Sequence, residues 1–319
     1  MTRIIYSMLF FLFSTVVLSQ SIIKSTSPHL SAYSDYRNYF FVFDKGIFRQ
    51  LENHPVKEFK IGGICLAYID NADNLKVYYK GITYRISDYI PQEFFAAGNM
   101  VVFRNDKTLS VFDDGETRIL STSVTNYFLE DSILCFFDDN EAKVYQSGAT
   151  RDLEGVLVNN IISVSNFKAG ENILSYVCND NTFKIYFRKQ SIILETTPPE
   201  SHQPGKNIVA YEDGYSQSFK VFFNGSTEIL EALKPKSYKT GNDMVAYVDY
   251  NGSFKIFYEG DKYDVSTFEP EFYVVKENIV IFFDNNYFQV FYKGRIQTLE
   301  KLVPSSYKSD LSTLAYIDD

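Results

Sequence analysis

Acidic residues recur along this chain at a nearly fixed interval. Asp35, Asp70, Asp138, Asp213, Asp249, Asp284 and Asp318 each close a short apolar run such as "VAYVD", and Asn105 and Cys178 hold the same place in two further copies. Carboxylates in such a column could ligate a metal or act as acid and base. A working centre uses a few converging acids, however, and an Asp at a strand end caps a hairpin through its own backbone. Capping is therefore the reading carried forward.

Other candidate chemistry is sparse. Asp70–Asn74 reads "DNADN" and Asp249–Ser253 reads "DYNGS", a weak likeness to calcium loops that lacks the alternating acids and terminal Glu. The three His, at 29, 54 and 202, have no His or Cys at ligand spacing, so zinc and haem are not indicated. Asp113 with Asp114, Asp138 with Asp139, and Glu212 with Asp213 are adjacent acids. Neighbours on a strand point to opposite faces, whereas glycoside hydrolysis needs two acids at a set separation across a sugar. No nucleophile elbow, phosphate loop or dinucleotide fingerprint is present, and no cofactor is expected.

The elements that would position these groups are legible in the repeat. Successive anchors lie 35, 35, 33, 40, 35, 36, 35 and 34 residues apart, a period that signals a repeat architecture. After each anchor comes a run such as "FKIFYEG". Its third column is Val42, Val77, Val111, Val144, Ile185, Val221, Ile256 and Val290, and its fourth is Phe43, Tyr78, Phe112, Tyr145, Tyr186, Phe222, Phe257 and Phe291. β-Branched residues on one face and aromatics on the other predict a strand covered on both sides. The Gly that ends most copies predicts a tight hairpin.

A further column, eleven residues before each closing anchor, is aromatic except for one His: Phe59, Phe94, Tyr127, Phe167, His202, Tyr238, Tyr273 and Tyr307. Each unit thus holds four short strands. This pattern resembles the β-propeller superfamily over residues 28–319, without the Gly-His and Trp-Asp marks of its best-known repeat; the chain has no Trp. A linear β-solenoid is the rival. The resemblance implies an all-β propeller of eight four-stranded blades, with seven as the alternative, and a ring closed by strands from both termini.

If the aromatic column packs between blades, its polar neighbours turn toward a solvated channel. Glu58, Lys60, Glu93, Asn126, Lys168, His202, Lys239 and Lys308 form the candidate binding ring. Function is also expected where copies depart from the rule, at His202, Cys178, Asn105 and the longer spacing around 153–169.

Residues 1–19, "MTRIIYSMLFFLFSTVVLS", carry one charge and an apolar stretch too short to span a bilayer. They read as a signal peptide, followed by a linker at 20–29 and a single propeller domain at 30–319. Export is expected, with no stable membrane span after cleavage. The net charge of −9 disfavours nucleic acid. Cys65, Cys135 and Cys178 sit inside apolar runs and read as buried thiols. The expected role is a non-catalytic, monomeric binding scaffold for a protein or carbohydrate; the alternative is an enzyme, a hydrolase or lyase, acting on glycans.

Overall fold

Both columns of the repeat lie on one inner strand of successive antiparallel sheets, the third of each four-stranded sheet and the middle one of the three-stranded first sheet. The structure is a computed structural model that describes residues 30–139, 141–157, 167–304, 306–310 and 313–317. The expected signal segment and linker, Asp318, and most of the longer spacing near 153–169 lie outside the described residues. No helix among the described residues is long and apolar enough to cross a membrane.

A three-stranded sheet comes first: Leu30–Ser34, Phe40–Asp44 and Ile47–Glu52. Four-stranded sheets follow at 58–87, 93–121, 124–157, 167–195, 201–231, 237–266 and 272–300, and a two-stranded sheet closes the series with Ser306–Asp310 and Thr313–Ile317. They are called blades 1 to 9 in chain order. Within each four-stranded blade the strands pair antiparallel in sequence order. Contacts between blades concentrate on the first and second strands, so these face the centre and the fourth strands lie outside.

All eight residues of the β-branched column are buried, and so are seven of the aromatic column. The β-branched face meets the following blade and the aromatic face the preceding one: Val42 packs with Leu66, Tyr68 and Tyr78 of blade 2. Phe43, in blade 1, is only partly covered. The hydrophobic core is thus a series of seams between blades.

Turns between third and fourth strands have two consecutive residues in the left-handed region, as at Lys80–Gly81 and Asn224–Gly225. That is the tight hairpin turn whose twist matches the flanking strands, and Gly suits its second position. Blade 5 does without it, using Arg188 (φ 49°) and Lys189 (φ 66°).

A second glycine series joins neighbours. Gly170, Gly205 and Gly241 sit between the first and second strands of blades 5, 6 and 7, where each meets the backbone of the next blade's turn. A Cβ on Gly170 would strike Gly205 O, one on Gly205 would strike Gly241 O, and one on Gly241 would lie 2.5 Å from Glu277 O. Backbone bonds reinforce the stacking, including Lys206 N to Gly241 O at 3.1 Å and Asn242 N to Glu277 O at 2.6 Å.

The expected closure differs in one respect. Ser306–Asp310 pairs with Thr313–Ile317, placing Tyr307 opposite Tyr316, while Leu30–Ser34 pairs with Phe40–Asp44. The two partial sheets stay separate, giving nine sheets among the described residues. A hairpin partner a few residues away costs less closure entropy than one at the far end of the chain.

Candidate functional site

The first strand of each blade follows a rule that the functional residues either obey or break. Its aromatic rests on the residue that opens the preceding blade's third strand, or the middle strand in the case of three-stranded blade 1. Ring centroids are 5.2 Å apart for Phe59 and Phe40, 5.0 Å for Tyr238 and Phe219, and 5.1 Å for Tyr273 and Phe254. His202 keeps the same place, 5.2 Å from Phe183, with Ser175 Oγ 2.7 Å from its Nδ1. Burial, with Lys168 nearby, lowers its pKa to about 4, so the imidazole is neutral at pH 7.

The residue after the aromatic is often Lys, and its ammonium donates to the carbonyl of the next blade's column residue. Lys60 Nζ lies 2.6 Å from Phe94 O, Lys168 Nζ 2.8 Å from His202 O, and Lys239 Nζ 2.7 Å from Tyr273 O. Where the residue before the aromatic is Ser, it bonds the next blade's phenol: Ser201 Oγ lies 2.5 Å from Tyr238 OH, and Tyr273 OH donates to Ser237 Oγ at 2.9 Å. These polar columns clamp blade to blade.

Blades 3 and 4 break both the lysine and the glycine series. Phe95 and Phe128 replace the Lys, and Ala97 and Glu130 stand at the Gly position, although in blade 3 Gly98, one residue on, takes over the close approach, a Cβ there lying 2.5 Å from Asp131 O. Phe128 borders two cavities there. One, of about 370 Å³, is lined by Glu93, Phe95, Arg104, Asn126, Tyr127, Phe128 and Leu129. The other, of about 450 Å³, lies where Phe128, Glu130, Phe167, Lys168 and Gln203 meet. Blade 8 has Val274 and Lys276 at these positions; it adjoins blade 9, most of whose side chains lie outside the described residues.

In the first cavity Glu93 stands where blades 6 and 7 have Ser. Arg104 is its cross-strand partner, with Nε 2.6 Å from Glu93 Oε1. Neither Arg104 Nε nor Tyr127 OH, both buried, completes a well-directed hydrogen bond. Burial and the Glu93 carboxylate push the Tyr127 phenol upward. Phe95 is 43 % exposed, its ring edge-to-face with Tyr127 at 6.2 Å and Lys60 Nζ 4.4 Å from its centroid.

Beside the second cavity three acids gather. Burial, together with the Asp131 and Glu171 carboxylates, raises the pKa of Glu130, and burial with Glu171 raises that of Asp131. Lys206 Nζ pairs with Glu171 Oε2 at 2.6 Å.

The anchor acids are capped and also cross-linked. Asp70 Oδ1 accepts from the backbone N–H of Ala72 and Asn74, both at 2.9 Å, and Lys76 lies 2.9 Å from its other oxygen. Lys76 also reaches Glu52, which accepts from Tyr68 OH at 2.9 Å. Tyr211, Glu195, Lys220 and Asp213 repeat this arrangement, as do Tyr247, Glu231, Lys255 and Asp249. Burial opposes ionisation, but the hydrogen bonds outweigh it and hold Asp70 and Asp213 down to about 2. Asp113 is engaged by Asn99 and Tyr145, and Asp114 by Lys80. The three cysteines are free, buried thiols.

Of the sequence-derived ring, Glu93 and Asn126 line the first cavity and Lys168 the second. Lys60, Lys168 and Lys239 bond the next blade, His202 is buried in a seam, and Glu58 pairs with Lys60 at 3.3 Å. The side chain of Lys308 lies outside the described residues. Phe95, Arg104, Tyr127 and Phe128 were not singled out; the available signal was Phe in a column otherwise rich in Lys.

No curated protein matches the chain. Similar solved structures include the computationally designed Ika8 protein, at 18% identity over 88% of this chain and 96% of that one with a TM-score of 0.36. Hsv2p of Kluyveromyces lactis is similar at 11% identity over 77% and 98%, TM-score 0.35. The CRINKLY WD40 ectodomain of the Arabidopsis thaliana receptor kinase ACR4 is similar at 10% identity over 76% and 96%, TM-score 0.38. A family described as "10-bladed beta propeller domain" matches residues 24–319, a larger blade number than the eight expected. With its series of four-stranded, seam-packed blades, this chain belongs to the ten-bladed β-propeller domain family.

Proposed function

We propose that this chain is an exported, non-catalytic propeller that binds a protein or carbohydrate through the seams of blades 3 to 5. The observation that carries this reading is the loss of the lysine clamp in blades 3 and 4, where Phe95 and Phe128 stand beside the two cavities. Phe128 also packs in the seam with blade 5, but Phe95 is 43 % exposed and leaves an aromatic face open to a ligand where a clamp would otherwise stand. Concave surfaces that combine aromatic side chains with a few placed polar groups are where ligands bind. Export rests on residues 1–19 and is tested by sequencing the mature N-terminus after secretion.

The binding test restores the rule. A Phe95→Lys, Phe128→Lys double variant places ammonium groups within reach of the Tyr127 and Phe167 carbonyls. Wild type is expected to gain thermal stability with members of a panel of oligosaccharides and peptides, and the double variant to fold but lose that response. An equal response in both proteins would defeat the reading.

Glu130, beside Asp131 and Glu171 at the second cavity, favours a second reading as a glycan-processing enzyme, because a carboxyl with a raised pKa can serve as a general acid. Release of reducing sugar from polysaccharides, abolished by Glu130→Gln, would establish it. No release from wild type would remove it.

A further inference from the structure

We propose that the cavity between blades 3 and 4 is a subsite for a neutral sugar ring, an inference that rests on the binding reading above. Its walls combine two aromatic surfaces, Phe95 and Phe128, with a cluster of planar polar groups: the Glu93 carboxylate, the Arg104 guanidinium and the Asn126 amide. A pyranose has matching parts, an apolar face of C–H groups for an aromatic and a rim of hydroxyls that donate and accept.

Charge narrows the choice. Glu93 and Arg104 oppose each other at 2.6 Å, so the pair offers no net attraction. An anion would meet Glu93 and a cation would meet Arg104 and the nearby Lys60. The pair can still engage neighbouring hydroxyls, Arg104 as donor and Glu93 as acceptor.

Hydrogen bonding narrows it further. Arg104 Nε and Tyr127 OH are buried beside the Glu93 carboxylate, Nε at 2.6 Å, and Asn126 has committed its Oδ1 to the backbone N–H of Tyr127 at 2.8 Å. A wholly apolar ligand would strip water from the Glu93, Arg104 and Asn126 polar groups without replacing its hydrogen bonds, and unmet buried groups are costly. A polyhydroxylated ring supplies acceptors while still covering Phe95. The volume, about 370 Å³, is near the lower end of ligand pockets and suits a small ring rather than a folded partner.

The test is saturation-transfer NMR and calorimetry with neutral disaccharides built from glucose, galactose, mannose or N-acetylglucosamine. Glucuronate and glucosamine serve as charged comparators, and a short-peptide library runs in parallel. A neutral sugar is expected to bind, with affinity falling at least about ten-fold in both Phe95→Ala and Arg104→Met. Phe268→Ala, at an exposed position in the connection between blades 7 and 8, should leave binding unchanged. Preference for a charged sugar, or sugar binding indifferent to Phe95 and Arg104, overturns the inference. Peptide binding alone, lost in Phe95→Ala, overturns it but leaves the binding reading in place. No binding from any class overturns both.

Discussion

Lys239 on blade 7 places its ammonium 2.7 Å from the carbonyl oxygen of Tyr273 on blade 8 and 4.7 Å from the centre of the same tyrosine's ring. One side chain thus holds the next blade by a charge-assisted hydrogen bond and a cation–π contact. Lys239→Met keeps the aliphatic stem and removes both. It should lower stability by about 1–3 kcal/mol, read as a lower urea midpoint with an unchanged denaturant slope. An unchanged midpoint would mean that the clamp is idle.

Gly205→Ala probes the contact between turns. The added methyl meets Gly241 O, a backbone atom fixed by its own hydrogen bonds. The substitution should cost about 2–3 kcal/mol or more and lower the thermal midpoint. Gly46→Ala is the comparison: it has open space around its Cβ position and pays only for its positive φ.

His202 gives a pH signature. Its folded pKa, near 4, lies below the ordinary value of about 6.5, so the unfolded chain takes up the proton first. The stability it contributes is complete above about pH 6.5 and is lost as pH falls toward 4. His202→Phe restores the column's aromatic and should flatten that part of the stability profile, measured by urea unfolding. A slope that persists unchanged would exclude His202 as its source.

A separate acid limb belongs to the anchor aspartates. Asp70 and Asp213 are held near 2, below the ordinary value of about 3.9, so their contribution is complete above about pH 4 and declines as pH falls through 2. Lys220→Met removes the partner that Asp213 and Glu195 share. The variant should be less stable at pH 7 but lose less on acidification to pH 2. Parallel profiles for the two proteins would contradict this assignment.

Lys189→Gly should stabilise the fold. Lys189 adopts φ 66° where the corresponding turns carry Gly, and a left-handed non-glycine residue is disfavoured by about 1–2 kcal/mol. A gain of roughly 1 kcal/mol in denaturant unfolding is expected; a loss would show that Lys189 makes a compensating contact.

The strand pattern was legible because burial on two faces writes itself into residue types. Val77 and Tyr78, adjacent and both buried, face different blades, and one alternation records both contacts. The lysine clamps were not legible. Their acceptor is a backbone carbonyl one blade away, and every residue carries such a carbonyl, so Lys60 and Lys239 looked like groups facing a channel. The cavity was half legible: Glu93 and Asn126 stood out by polarity, whereas Phe95 and Phe128 looked like more core in an aromatic-rich chain. Asp35, Asp70, Asp213 and Asp249 cap their hairpins as the sequence suggested, but the Lys76 link from Asp70 to Glu52 joins two strands of blade 2 to the outermost strand of blade 1 and has no local mark.

The glycine contacts at 170, 205 and 241 are made first with the neighbour's main chain, so they ask little of its side chains. A copied unit therefore arrives already fitting the unit beside it. Gene duplication can lengthen such an arc one module at a time, while the copies drift in spelling and an individual seam, like that of Phe95 and Phe128, is free to acquire a task of its own.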